Sequence, residues 1–247
     1  MTESDKQILR QNAEKYETAY FLEKDPSKFM HLVKGIMNQE AMAFIASSLS
    51  YGKREQFNPK IEMILTWTEG EVDQWIRTGK HEEHFKAGDT RSFYRLYTHN
   101  TMHCFFQAYQ RLLLTYGSLG DYVRRNASDG FTAVETICQY FGRQDLHTII
   151  PKNAHSACKR VCLFLRWMVR SNSPVDLGLW ADFIDRRTLI MPLDTHVLRQ
   201  SARLGLLKNK TATMASARRL TAALADIFPD DPLKGDYALF GDSANQQ

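Results

Sequence analysis

Residues 154–170, AHSACKRVCLFLRWMVR, have the spacing of one long amphipathic α-helix. Its apolar side is formed by Val161, Phe164, Leu165, Met168 and Val169. The opposite side carries Lys159, Arg166 and Arg170, with His155 one turn earlier. Such a basic face is usually exposed only to solvent. The same pattern is also typical of a row of cations that binds phosphates and that includes one catalytic lysine.

The same helical spacing recurs on both sides of this segment, for example over residues 38–51 and 101–116. Pro59 is well placed as the first residue of a further helix. No stretch alternates apolar and polar residues for long enough to predict a strand, and 13 glycines and 7 prolines are few for 247 residues. The sequence therefore predicts an all-α fold of roughly ten helices with short connections.

The composition excludes several classes of protein. Hydrophobic residues make up 43% and charged residues 24%, and the formal net charge of +4 is compatible with an anionic partner without requiring one. No apolar run reaches the roughly 18 residues of a membrane helix, and the charged first residues do not begin a signal peptide. The four cysteines are too few and too scattered for a disulfide framework. This favours a reducing cytoplasm as the location of the protein.

A second motif is PLDTHV at residues 192–197. An aspartate at this position usually caps a helix. Leu193-Asp194-Thr195-His196-Val197 also resembles the Val-Asp-Thr-His-Ile segment of helix-hairpin-helix DNA glycosylases of the endonuclease III type, in which the aspartate is the catalytic carboxylate. Residues 44–50, FIASSLS, are similar to the early helix of that superfamily.

The hairpin of that superfamily corresponds to residues 150–160, IPKNAHSACKR, which lack its glycines, so the hairpin is degenerate. Lys159 matches the lysine nucleophile, and its distance from Asp194 along the chain resembles that in the archaeal 8-oxoguanine glycosylases. The glutamine that the superfamily inserts into the duplex falls at Gly52, so that role does not carry over. From about residue 40 to the end, strings such as FLRWMVR at 164–170 resemble a bacterial family of uncharacterised proteins within this superfamily.

The resemblance implies a DNA N-glycosylase, with or without lyase activity, that acts on an oxidised purine such as 8-oxoguanine. Asp194 would stabilise positive charge on the deoxyribose, and Lys159 would attack C1′ to form a Schiff base. The residues expected to bind the flipped base are Asp236, Phe240, Tyr51 and Trp167. The residues expected to bind the DNA backbone are Arg160, Arg166, Arg170 and His196.

No iron–sulfur cluster or other metal is expected, because the four spaced cysteines that the cluster needs are absent after Asp194. The predicted organisation is a middle lobe of about 41–150 and a second lobe of 1–40 plus 151–247, with Lys159 and Asp194 in the cleft. The expected state is a monomer bound to duplex DNA with a damaged base. A catalytically silent nucleic-acid-binding protein and a nucleoside or small-molecule enzyme that reuses the pocket stay open as alternatives.

Overall fold

Twelve α-helices and one short β-hairpin form the described part of the chain, residues 1–143, 146, 148–208 and 211–244, in a computed structural model. The helices are α1 (Glu3–Tyr16), α2 (Lys28–His31), α3 (Ile36–Leu49), α4 (Arg54–Thr68), α5 (Val72–Arg77), α6 (His99–Tyr116), α7 (Leu119–Asn126), α8 (Gly130–Gly142), α9 (Lys159–Val169), α10 (Thr195–Arg203), α11 (Met214–Ala225) and α12 (Lys234–Ala244). The predicted all-α fold class is confirmed.

The hairpin is the element that the sequence does not predict. Strands β1 (Ser92–Tyr94) and β2 (Tyr97–Thr98) pair antiparallel, and Arg95 and Leu96 form the two-residue turn between them. Strands of three and two residues are too short to show the alternation of apolar and polar residues by which strands are recognised.

The chain divides into two compact units. Unit 1 consists of residues 1–23, 128–134 and 154–247, and unit 2 consists of residues 24–127 and 135–153. The lobes expected from the sequence had boundaries near 41 and 150, whereas this division assigns residues 24–40 to unit 2.

The core of unit 2 is built around α3, in which every residue from Glu40 to Leu49 is buried. The ring of Phe44 packs against those of Phe105, Tyr109 and Phe141. Such contacts between aromatic rings stabilise a core beyond the area that they bury. The carboxylate of Glu40 accepts hydrogen bonds from two backbone N–H groups at the start of α7, which satisfies donors that the helix itself leaves unpaired.

The core of unit 1 is built around α9, which is buried on nearly all sides, and around the packing of α1 against α12. The segment that follows α9 folds back onto the end of that helix. The N–H groups of Leu177 and Trp180 donate to the carbonyls of Trp167 and Met168 at 2.8 and 2.7 Å. The ring of Trp180 then meets Phe164 edge to face.

Two helix starts differ most from the sequence prediction, while those of α3 and α6 differ by two residues. Helix α9 begins at Lys159 instead of 154, because Cys158 has a left-handed φ of 45° and Ser156 pairs with Thr213 as an isolated bridge. Helix α4 begins at Arg54 and contains Pro59 inside it. Pro59 is the sixth residue of α4, so it does not begin the helix as the sequence suggested.

Candidate active site

Lys159 and Asp194 form an ion pair in unit 1. The Lys159 Nζ lies 2.8 Å from the Asp194 Oδ2, and the two side chains are 39% and 31% exposed. Lys159 is the first residue of α9, and Asp194 precedes the first residue of α10. Two residues far apart in sequence are thus within hydrogen-bond reach and accessible to solvent, which is the geometry that proton exchange between them requires.

The carboxylate of Asp194 is fixed by the start of α10 as well as by Lys159. Its Oδ1 accepts a hydrogen bond of 2.8 Å from the Val197 N–H, so the residue caps α10 and leaves Oδ2 to the lysine. Burial alone would raise the pKa of Asp194, but the Lys159 ammonium, the Val197 N–H and His196 hold that pKa below its usual value. The carboxylate is therefore ionised at neutral pH.

Asp236, a residue expected to bind the base, lies close enough to this pair to experience both charges. Burial is the largest influence on its carboxyl group and raises the pKa of Asp236, and the charge of Asp194 raises it further, against the opposing effects of Arg166 and Lys159. The Arg166 guanidinium donates a hydrogen bond to its Oδ2, and the Asp236 side chain is 19% exposed. Asp236 is the third residue of α12 and does not cap that helix.

The structure corrects the interpretation of Arg166 and Arg170 as residues that bind the DNA backbone. Their side chains are 2% and 1% exposed. Arg166 contacts Asp176 and Asp236. Arg170 also contacts Asp176 and, in addition, Asp231 and Glu17. A guanidinium enclosed by carboxylates inside the protein cannot reach a phosphate.

The structure also corrects the expectation for Trp167, because a ring with no exposed surface cannot stack on a base. Phe240 is half-buried, and its ring meets the edges of Tyr16 and Phe21. Tyr51 belongs to unit 2, where its side chain is 41% exposed and the Arg95 guanidinium lies over its ring. The base-binding roles of Phe240 and Tyr51 stay predictions.

Arg160 and His196, the two other residues expected to bind the DNA backbone, occupy equivalent places in α9 and α10. Each is the second residue of its helix, directly after Lys159 and Thr195. Arg160 is partly exposed and His196 is exposed. Their predicted contacts with phosphate therefore stay compatible with their positions in unit 1.

The buried ion network around Asp176 was missed by the sequence reasoning, although one signal was present. Between Val161 and Val169 the chain reads VCLFLRWMV, in which Arg166 is the only polar residue. A helix that is apolar on every side is buried, so a lone arginine within it is expected to need a buried acidic partner. The identity of that partner could not be read from helical spacing.

This arrangement has the components of amine nucleophilic catalysis. Lys159 provides an amine that is partly exposed, and Asp194 provides an ionised oxygen that can accept a proton from it or face a developing positive charge. Asp236 adds a second carboxyl group on a neighbouring helix, oriented by a buried arginine.

Comparison with known families gives one match. The model of the family described as "Protein of unknown function (DUF2400)" matches residues 25–245, most of the chain. The chain belongs to this family. Lys159, Asp194 and Asp236 all lie within the part of the chain that the DUF2400 model covers. No curated protein and no solved structure matches the chain.

Two further observations concern the described residues of this DUF2400 protein. None of the helices seen there combines the length and the apolar character that crossing a membrane requires. Within the same ranges, no group of three or more histidine, cysteine, aspartate or glutamate side chains is placed to hold a metal ion.

Proposed function

We propose that this protein is a DNA base-excision glycosylase with lyase activity, in which Lys159 is the nucleophile and Asp194 the catalytic carboxylate. The observation that carries the proposal is the contact of 2.8 Å between the Lys159 Nζ and the Asp194 Oδ2. The resemblance of residues 193–197 to the catalytic segment of helix-hairpin-helix glycosylases supports the choice of DNA as substrate. That resemblance rests on sequence motifs alone.

The proposed reaction makes Lys159 the nucleophile and gives Asp194 two roles, proton transfer and stabilisation of positive charge. The Lys159 ammonium gives a proton to Asp194, which passes it to solvent and is ionised again. The neutral amine then attacks C1′ of the deoxyribose, so that a C–N bond to Nζ forms as the glycosidic bond breaks. The base leaves with the electron pair of that bond and takes a proton from solvent. The Asp194 carboxylate faces the positive charge that develops on the sugar. Breaking of the C1′–O4′ bond opens the sugar ring, O4′ takes a proton from Nζ, and the protonated imine forms. Loss of a C2′ proton to solvent then expels the 3′-phosphate by β-elimination.

An oxidised guanine such as 8-oxoguanine is the base that we propose for this site. The N1–H and N2–H₂ groups of guanine-type bases are two adjacent donors, and a carboxylate such as that of Asp236 accepts from both. Adenine lacks this pair of donors, so it would leave the acceptor sites that Arg166 does not use without a donor in a partly buried position. The buried Arg166 orients Asp236 without using all of its acceptor sites.

The test is base release from a panel of short duplexes, each with a single 8-oxoguanine, uracil or hypoxanthine. We expect the wild-type protein to release 8-oxoguanine in preference to the other bases. We expect Asp194→Asn to lower the rate by a factor of about 10²–10³, the loss seen when one electrostatic contact to a transition state is removed. Asparagine also caps helices well, so α10 keeps its N-cap and the fold is retained.

Lys159→Gln should abolish the release of 8-oxoguanine, because it removes the nucleophilic amine. Lys208→Gln is its matched control, because Lys208 is an exposed lysine of the same unit. The control should release 8-oxoguanine at the wild-type rate. Release of no base by the wild type would contradict the proposal. Release from free nucleosides but not from duplexes would favour a nucleoside enzyme, and duplex binding without any release would favour a silent nucleic-acid-binding protein.

A further inference from the structure

Asp236 and Phe240, the two residues of α12 expected to bind the base, are four residues apart and therefore lie on the same side of that helix. The Asp236 side chain is 19% exposed and Phe240 is half-buried, so both reach the surface of the protein. Tyr237, next to Asp236, has no exposed surface. The position of the pair therefore depends on the residues that pack against α12.

The N-terminal segment of unit 1, residues 1–23, packs against α12 and touches one member of this pair directly. Helix α1 lies against α12, and the short 3₁₀ segment that follows α1 contains Phe21. The ring centre of Phe21 lies 5.1 Å from that of Tyr237 and 5.2 Å from that of Phe240, at interplanar angles of 71° and 75°. The Tyr16 ring meets Phe240 at 5.7 Å and 76°. Edge-to-face contacts of this kind are directional, so they hold the Phe240 ring in one orientation.

A chain of ion pairs connects the same segment to Asp236, the other member of the pair. Glu17, directly after α1, accepts a hydrogen bond of 2.7 Å from Arg170. Arg170 and Arg166 both contact the buried Asp176, and Arg166 donates to Asp236. Both arginine side chains are enclosed, and hydrogen bonds between charged groups away from water fix the geometry of their partners strongly. The N-terminal segment therefore supports both members of the pair.

We propose that the N-terminal segment is part of the base-binding site, with Phe21 as the residue that positions Phe240 for stacking. The DUF2400 model begins at residue 25, so this support comes from outside the part of the chain that the family model matches. Phe21 acts through the ring of Phe240, and a ring already fixed by its neighbours loses little conformational entropy when a base stacks on it. The choice of an oxidised purine as the ligand rests on the proposed function.

The experiment measures the affinity of the full chain for two short duplexes, one with 8-oxoguanine and one with uracil at the same place. The deoxyribose of that nucleotide carries a 2′-fluorine, which disfavours positive charge on the sugar and so prevents base release during the measurement. We expect the wild-type protein to prefer the 8-oxoguanine duplex, because a purine covers more of the Phe240 ring than uracil does. Phe21→Leu should lower this preference about tenfold, within the range of one base–aromatic stacking contact. Phe21→Tyr keeps the ring and should restore the wild-type preference.

Tyr20→Leu is the matched control, because Tyr20 is the aromatic neighbour of Phe21 and is 73% exposed. The control should show the wild-type preference. Tyr16→Leu removes the other ring that meets Phe240 and should lower the preference as Phe21→Leu does, which keeps the test decisive if circular dichroism shows that Phe21→Leu does not fold.

The ratio of the two affinities separates positioning from a purely structural role, because a loss of folded protein weakens binding to both duplexes alike. Equal ratios for Phe21→Leu and Tyr20→Leu, or a ratio that Phe21→Tyr does not restore, would overturn this inference alone. A wild-type preference without base release from the unfluorinated duplex would contradict only the proposed function. A wild-type protein with no preference would contradict both this inference and the proposed base.

Discussion

The carboxylate of Asp236 lies among charges of both signs, and these determine what a substitution there does. Arg166 donates to its Oδ2, and Asp194 and Lys159 act on it electrostatically with opposite effects on its pKa. An asparagine at this position can still accept the hydrogen bond from Arg166 through its carbonyl oxygen. Its NH₂ group, however, would oppose the N–H donors of a guanine-type base.

We therefore predict that Asp236→Asn lowers the preference for 8-oxoguanine over uracil by about tenfold to a hundredfold, the range expected for an unpaired buried polar group. The protein should stay folded, because the contact with Arg166 is kept. The measurement is the ratio of release rates from the two duplexes, with circular dichroism as the check on folding. An unchanged ratio would contradict the role of Asp236 in recognising the base.

His81 is the residue of unit 2 whose burial has the clearest consequence for pH. Its side chain has no exposed surface, and neither ring nitrogen has a hydrogen-bond partner in the described part of the chain. The rings of Trp75 and Phe106 lie next to it. Burial lowers the pKa of His81 to about 4, with a smaller lowering from His103 against an opposing effect of Glu82.

We predict that unit 2 loses stability as the pH falls from about 6.5 towards 4. In this window the unfolded chain binds a proton at His81 and the folded chain does not, so acid favours unfolding, by an amount on the order of 3 kcal/mol for the full shift. His81→Phe should remove most of this dependence, measured from hydrogen exchange of α6 amides. His31→Gln, at an exposed histidine of the same unit, should leave it unchanged. Parallel pH dependences for wild type and His81→Phe would refute the assignment.

At the level of elements, Arg170 connects three parts of unit 1. From the end of α9 it donates to both carboxylate oxygens of Asp231 at 2.8 to 3.1 Å, and to Glu17, which follows α1, at 2.7 Å. It also donates to the fully buried Asp176. Burial alone would lower the pKa of Arg170, but Asp176 and Asp231 hold that pKa above its usual value, so the guanidinium stays charged.

We predict that Arg170→Met destabilises unit 1 by about 3–5 kcal/mol, because it leaves buried carboxylates without their counter-charge. Urea unfolding followed by hydrogen exchange in α9 and α12 measures the loss. Arg187→Met is the control, since the Arg187–Asp185 pair is largely exposed and should contribute nothing measurable. A loss of less than about 1 kcal/mol for Arg170→Met would show that the network is not needed for stability.

Helix α9 also shows how far the sequence could predict an element. Helical spacing correctly predicted a helix here and placed Lys159, Arg166 and Arg170 on one side of it. Spacing gives the relative angle of side chains but not which side faces the core. The carboxylates that enclose the two arginines come from other segments of the chain, so the part of this face that carries the arginines is buried while Lys159 stays partly exposed.

For the whole molecule, the fold class followed from local patterns and the candidate site did not. Scarce glycine and proline and repeated helical spacing were enough to predict an all-α protein, whereas the hairpin at 92–98 was too short to detect. Lys159 and Asp194 were paired through a resemblance of motifs, since no periodicity relates residues on separate helices. The structure adds the contact between them, which makes the proposal testable at the level of atoms.

The most direct test is to trap the covalent intermediate and map the residue that carries it. Borohydride adds hydride to the imine carbon and converts it to a stable amine, so a duplex with an abasic site or 8-oxoguanine should become attached to the protein. We expect mass spectrometry to place the attachment on the Lys159 Nζ. Lys159→Arg, which can keep the ion pair with Asp194 but cannot form an imine, should give no adduct, and Lys208→Gln should give the wild-type yield. An adduct on another amine, or an undiminished yield from Lys159→Arg, would contradict the assignment of Lys159 as the nucleophile.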